Sequence, residues 1–307
     1  MTEIIEQQAQ LALKRNGKTF WFASLFLPRQ MANDAAVLYS FCRNLDDIAD
    51  ETTTSDRADD SVERLQLLRK DLRARNSQDP LLAEIIQLAS RTDLNLHAAI
   101  CLLDTLLEDA RSGAEIADEI ALIRYCYGAA GTVGLMMCAI LGVTSSSAKL
   151  QAIDLGIAMQ LTNIARDVVE DAQIGRRYVP LTWVNGLDAE QISGSHHEDA
   201  VRHSLAAGVC RVLDLADVFY AAATPGFDEI PPQARRSIRV AAAVYRQIGV
   251  KLRQRGCMSS DRVVVPFLSK VQIAATIYLG KSELEKLPPP DDSTQLHKAL
   301  SGLPGLP

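Results

Sequence analysis

"LHAAICLLDTLLEDARSG", residues 96–113, repeats apolar side chains at intervals of three and four, with charges between them. That period is one face of an α-helix. Working outward, "SVERLQLLRKDLRAR" (61–75) and "PLLAEIIQLAS" (80–90) carry the same spacing. Gly113, Gly142 and Gly256 follow such runs and read as helix stops. Sustained alternation is nearly absent. "RVVVPF" (262–267) is the one strand-like patch, and Pro266 inside it argues against a central strand. "TTTSDRADDS" (52–61) and "NGLDAEQISGSHHEDA" (185–200) read as loops, and no repeat of fixed period is present. From Pro288 the chain turns rich in proline and glycine, so a loosely held end is expected. The reading is all-α: one helical domain over 1–287 and a tail over 288–307.

Hydrophobic residues make up 48% of the 307, enough to bury a sizeable core. The formal charge of -6 argues against a nucleic-acid footprint. Six cysteines (42, 101, 126, 138, 210, 257) lie without paired spacing, so reduced, buried thiols in a cytoplasmic protein are expected. The N-terminus has its acids early and its bases late, the reverse of a signal peptide. The segment 125–143 is uncharged, but its four glycines and polar members favour a buried helix over a membrane span. Peripheral contact with a membrane stays open.

"FCRNLDDIADE" (41–51) crowds four acids into six positions behind Arg43. Asp46 and Asp50 are four apart, hence on one helix face, with Asp47 beside them. Like charges at that spacing repel unless a cation sits between them. Downstream, "QLTNIARDVVEDA" (160–172) places Gln160, Asn163, Asp167 and Asp171 at steps of three, four and four. One stripe therefore carries two amides and two carboxylates through an otherwise apolar helix. Hard oxygen donors of this kind suit Mg²⁺, which takes one or two carboxylates and completes its shell with water and phosphate oxygens. Arg166, Arg176 and Arg177 surround the second set, and guanidinium forks suit phosphate. The competing reading is a solvated face, since Glu115 and Glu119 show the same spacing. "SHHED" (195–199) is a weak metal candidate, because adjacent side chains diverge.

These residues resemble the squalene/phytoene synthases, which join two prenyl diphosphates head to head. "YSFCRNLDDIADE" looks like the family's first aspartate-rich motif and "QLTNIARDVVEDAQIGRRYVP" like its second. "YCYGAAGTVG" (125–134) resembles the segment between them. "KTFWFAS" (18–24) resembles the entrance segment, where serine often replaces Thr19. The likeness runs from about Lys18 to Lys270. It implies an all-α isoprenoid synthase fold around a central cavity, with both acid sets at its mouth. It implies Mg²⁺, or Mn²⁺ in its place, as cofactor.

By resemblance, Asp46, Asp50, Asp167 and Asp171 would ligate the metal with help from Asn163. Asp47 and Glu170 point elsewhere on their helices. Lys18, Arg43, Arg166, Arg176 and Arg262 would contact diphosphate, while Arg177 is open to a surface salt bridge instead. Thr19, Phe20, Tyr39 and Gln160 would line the substrate site. Tyr125 and Tyr245 match tyrosines beside the reacting carbons, where ring faces and phenols can stabilise cations and exchange protons. Gly128, Gly131 and Gly134 would either let a polyene press on backbone or let helices approach closely.

Two points narrow the family. No membrane helix follows the last motif, and no nicotinamide fingerprint is present, so no NADPH is expected. An enzyme that joins two twenty-carbon diphosphates and ends by losing a proton is favoured. A thirty-carbon enzyme using farnesyl diphosphate is the runner-up. A silent assembly subunit on the same scaffold, and a head-to-tail synthase or terpene cyclase, are the remaining alternatives. Oligomeric state is left open.

Overall fold

The structure, a computed structural model, describes residues 2–51, 58–76, 78–259, 261–281, 284, 287–288 and 297–306. The first helices are α1 (Thr2–Asn16), α2 (Lys18–Ser24), α3 (Arg29–Glu51), α4 (Ala58–Ala74) and α5 (Pro80–Thr92). They are followed by α6 (Leu96–Ser112), α7 (Glu119–Cys126), α8 (Thr132–Leu141) and α9 (Ser146–Gln173). The last are α10 (Ala189–Ser195), α11 (Asp199–Ala223), α12 (Pro232–Gln254) and α13 (Phe267–Tyr278).

Local chemistry accounts for most boundaries. Asp79, Asn95, Asp118 and Ser145 each accept a hydrogen bond from a first-turn amide of α5, α6, α7 and α9. Gly113, Gly142 and Gly256 take positive φ where α6, α8 and α12 end, as their positions predict. The core gathers around α9, which packs against α8, α10, α11 and α12. Ile153, Ile157, Leu161 and Ile164 of α9 are each at most 2% exposed, and burying such a side chain contributes about 1.5–3 kcal/mol.

Residues 125–141 of the uncharged segment lie in a 23-residue helical run, Glu119–Leu141, long and apolar enough to cross a bilayer. Here it packs on α6 and α9 instead. Between α7 and α8 the run widens into a π turn, Tyr127–Gly131. The glycines resolve in favour of close packing. A Cβ on Gly134 would stand 2.1 Å from the Ala152 carbonyl oxygen, and one on Gly128 2.0 Å from Thr105 Oγ1.

Several expectations need correction. Residues 185–200 are not all loop: Asp188 and Gln191 form a reciprocal capping box that opens α10. Of the segment 52–61, positions 52–57 lie outside the described residues and 58–61 open α4. No strand occurs among the described residues. Val263 and Val265 are buried and Val264 is exposed, so the alternation is real, but this extended lead into α13 joins no strand among the described residues.

The expected loose end is held where it is described. Arg124 Nε donates to the Ala299 carbonyl (2.6 Å), Tyr127 Oη to Pro304 (2.6 Å), and His297 Nε2 meets buried Asp154 at 2.8 Å. Leu300 is fully buried. The cysteines are not all thiols either: Cys210 and Cys257 form a disulfide with Cα atoms 5.6 Å apart. The turn after α12 carries Cys257 back onto α11, a meeting that a separation of 47 residues conceals. With that pair, the argument from cysteines to a reducing compartment no longer stands.

Candidate active site

Asp46 and Asp50 sit one turn apart on α3, partly buried, while Asp47 beside them is exposed and pairs with Arg43. On α9, Gln160, Asn163, Asp167 and Asp171 are all partly buried, and Glu170 is exposed. The helical stripe therefore sorts inward acids from outward ones as the spacing predicts. At Asp167 the backbone leaves helical geometry (φ -105°, ψ 15°), which kinks α9 within the second motif.

Arg176 joins the two helices. Its Nη1 donates to Asp50 Oδ1 (2.6 Å) and its Nη2 to the Ala49 carbonyl (3.1 Å). The same guanidinium is close enough to hold down the carboxyl pKa values of Asp46 and of Asp171. One buried cation thus faces acids of both α3 and α9. Even so, burial and the neighbouring Asp50 push Asp46 up to about 7. Burial and Asp167 push Asp171 up to about 8. The site is short of positive charge.

Asp167 is held by two arginines. Arg166 chelates it with Nε and Nη2, and Arg262 Nη2 reaches it at 3.0 Å. Asn163 Nδ2 lies 3.4 Å from Gln160 Oε1, and Asn163 Oδ1 is buried without a hydrogen-bond partner. A buried acceptor in that state is costly unless a ligand supplies what it lacks. No three His, Cys, Asp or Glu side chains converge on a single metal point among the described residues. The acids come as pairs. That donor set fits Mg²⁺, which needs only one or two carboxylates and takes its other oxygens from water and substrate.

The aromatic expectations come together in two clusters. Phe20 packs on Tyr245 (5.0 Å between centroids) and on Tyr39 (6.2 Å). Tyr39 is pushed up to about 12 by burial, with Arg43 opposing. Tyr245 is raised by burial, with Arg166 and Asn163 pulling the other way. Tyr125 stacks on Tyr178 at 4.6 Å, and Tyr178 Oη donates to Asp109 Oδ2 (2.8 Å). Below these rings, Ala129, Val133 and Met137 of the π turn and α8, and Ala152, Leu155 and Met159 of α9, stay only half-buried. Two apolar stripes thus run from Tyr125 and from Asn163 into the helical body.

Lys18 is exposed at the start of α2, beside half-buried Thr19. Arg43 is engaged by Asp47 at the surface. Arg177 makes no surface salt bridge: it is 4% exposed and donates to the carbonyls of Ile116 and Val179. Its role is to fasten the α9 exit to the α6–α7 connection. Three residues escaped sequence reasoning. Asp109 looks like any solvated acid of an amphipathic helix. Tyr178 lies at the end of the second motif, where only the two arginines before it were given roles. Lys270, 8% exposed and depressed in pKa by burial and by Lys18, stood merely as the end of the resemblance.

The chain belongs to the squalene/phytoene synthase family, whose profile matches residues 13–269. It is a prenyltransferase of that family. A phytoene synthase of Pseudescherichia vulneris is 32% identical over 265 residues, covering 83% of this chain and 84% of that protein. A 15-cis-phytoene synthase of Paracoccus sp. is 34% identical over 254 residues, covering 80% and 81%. Among solved structures, a dehydrosqualene synthase in complex with ligand superposes with a TM-score of 0.77 at 24% identity, covering 91% of this chain and 98% of that one. Squalene synthase HpnC from Alicyclobacillus acidocaldarius gives 0.69 at 21%, covering 83% and 95%. These likenesses establish the isoprenoid synthase fold.

Proposed function

We propose that the chain is a 15-cis-phytoene synthase, condensing two geranylgeranyl diphosphates head to head with Mg²⁺ as cofactor. The observation that carries the reading is Arg176, which binds Asp50 and faces Asp46 and Asp171 across two helices. The relatives named phytoene synthase support the twenty-carbon substrate.

Asp46, Asp50 and Asp171, with the free Asn163 Oδ1, would hold the metal. Bound there, Mg²⁺ neutralises charge that develops on the departing diphosphate. Arg176, Arg166 and Arg262 orient that diphosphate, and Lys18 and Lys270 offer cations at the α2–α13 side of the mouth. In the first half-reaction one C–O bond breaks, and the double bond of the second substrate captures the allylic cation. Loss of a proton closes the cyclopropyl ring and gives prephytoene diphosphate. In the second half-reaction the other diphosphate leaves, the skeleton rearranges, and a further proton is lost to form the central double bond.

Tyr245 and Tyr125 present ring faces to the cationic carbons. Their raised pKa values keep the phenols protonated, able to donate a hydrogen bond to diphosphate oxygens. Asp109 holds Tyr178, and Tyr178 holds the plane of Tyr125. The half-buried stripes on α8 and α9 shelter the polyene from water, which would otherwise quench the cation.

The test supplies geranylgeranyl and farnesyl diphosphates separately with Mg²⁺ and identifies the hydrocarbon. Phytoene from the twenty-carbon substrate is expected. A thirty-carbon product alone, a linear longer diphosphate, or no metal-dependent pyrophosphate release would each overturn the assignment.

A further inference from the structure

The described surface has one place where large apolar side chains gather. Val264, Phe267, Leu268, Val271, Tyr278 and Leu279 follow one another at helical spacing along α13 and its flanks, all exposed. Leu268 and Leu279 stand out most, at 75% and 76%. An amphipathic helix that packed both faces would not leave them so. Beneath the stripe, Phe267 meets Phe22 edge-on at 5.8 Å, and Tyr278 meets Phe26 at 5.8 Å. These aromatic contacts seat α13 on α2, so the outward leucines are not needed for that packing. Leu25, just past the end of α2, is also 58% exposed.

The charge around it is unlike the rest of the chain. The molecule has 38 acids against 32 bases, yet residues 262–281 contain Arg262, Lys270 and Lys281 and no acid. Residues 18–33 contain Lys18 and Arg29 and again no acid. Arg236 of α12 adds a guanidinium 4.7 Å from the centre of the Tyr278 ring. Lys270 is buried and Arg262 is paired with Asp167, so the exposed cations beside the stripe are Arg236 and Lys281. Exposed aliphatics next to them complement an anionic lipid surface, where the apolar side chains enter the headgroup boundary and the cations meet phosphate. A symmetric pairing of two copies through this face would instead set the cations of one copy near those of the other.

The face is continuous with the active-site mouth. Phe20 of α2 packs on Tyr245, Lys18 lies beside Lys270 of α13, and Arg262 reaches Asp167. We propose that α13, with the end of α2, is a docking surface for an anionic bilayer. It sets the mouth against the phase where long prenyl chains reside. This goes beyond the condensation reading, because its test reads binding and not turnover.

The full chain would be floated with phosphatidylcholine vesicles and with vesicles that also contain phosphatidylglycerol, beside the variants Leu268→Glu, Leu279→Glu and Arg236→Ala/Lys281→Ala. Wild type is expected to co-float with the anionic vesicles, and added salt should weaken binding. Each leucine variant should lose at least about tenfold in partitioning, since it removes apolar contact and adds repulsion. Circular dichroism and melting temperature should stay unchanged, the replaced side chains being exposed. Leu268→Ser provides a milder check should a glutamate disturb the helix. Absence of binding, equal binding to neutral vesicles, or full binding by folded leucine variants would overturn the proposal. A dimer in gel filtration that the same variants dissolve would assign the face to a second copy, which also overturns it.

Discussion

Replacing Asp171 by asparagine removes a carboxylate from the centre of the site, and in metal-free protein it is expected to raise stability. Burial and the charge of Asp167 lift this carboxyl from 3.8 to about 8. At about 1.4 kcal/mol per pKa unit, the full displacement is worth roughly 6 kcal/mol. That value already includes the opposing pull of Arg176; a buried amide has its own desolvation cost, so a net gain of about 1–3 kcal/mol is expected.

The sign follows from proton binding. Between pH 3.8 and about 8 the folded carboxyl keeps a proton that the unfolded chain has released. Wild-type stability therefore falls as pH rises through that window and levels off above it. Below the window both states are protonated, and Asp171 contributes nothing. The advantage of Asp171→Asn should open across the window and persist above it. Thermal unfolding in chelator, scanned over pH, reads it as a rise in Tm of roughly 3–6 °C at about pH 8. Excess Mg²⁺ should stabilise wild type more than the variant, because the metal repays the repulsion only where the carboxylate remains. A variant that melts below wild type in chelator at high pH, or that gains as much from Mg²⁺, refutes the account.

Other outcomes follow from single contacts. Arg176→Lys keeps one positive charge but loses the planar fork that sets separate nitrogens on Asp50 and on the Ala49 carbonyl. Turnover should fall about 100-fold or more, against a stability loss of only about 1–2 kcal/mol, read by steady-state kinetics and melting. Gly134→Ala drives a methyl into the Ala152 carbonyl oxygen, 2.1 Å away. Backbone must shift there, so about 1–3 kcal/mol of stability should be lost, measured by denaturant unfolding. Cys210→Ser, or added reductant, opens a crosslink over 47 residues that the chain-entropy relation values at about 4 kcal/mol. Wild type should melt markedly lower in reductant, and the variant should not respond to it.

Much of this was legible in the chain because its physics is local. The three- and four-residue spacing of "LHAAICLLDTLLEDARSG" yields α6, and Asn95 and Gly113 bound it. The steps of three and four from Gln160 to Asp171 put four polar side chains on one face of α9, and the outward positions Asp47 and Glu170 are exposed as expected. The α10 cap was readable too, since Asp188 and Gln191 have capping-box spacing; it was lost among the polar residues around it. The strand-like "RVVVPF" misled because alternation reports burial on one side only, and a strand also needs a partner.

By itself, then, the sequence determined most of the helices, the two acid stripes and the small side chains at Gly128, Gly131 and Gly134. Each depends on residues within a turn or two of one another, or on the size of one side chain. Only the tertiary structure decided that Arg176 faces acids of both stripes, that Asp109 reaches Tyr178, that Cys210 meets Cys257, and that residues 297–306 lie against α7 and α9. Those contacts join positions 47 to 175 residues apart. Their partners are selected by how helices stack around α9, and no local spacing encodes that.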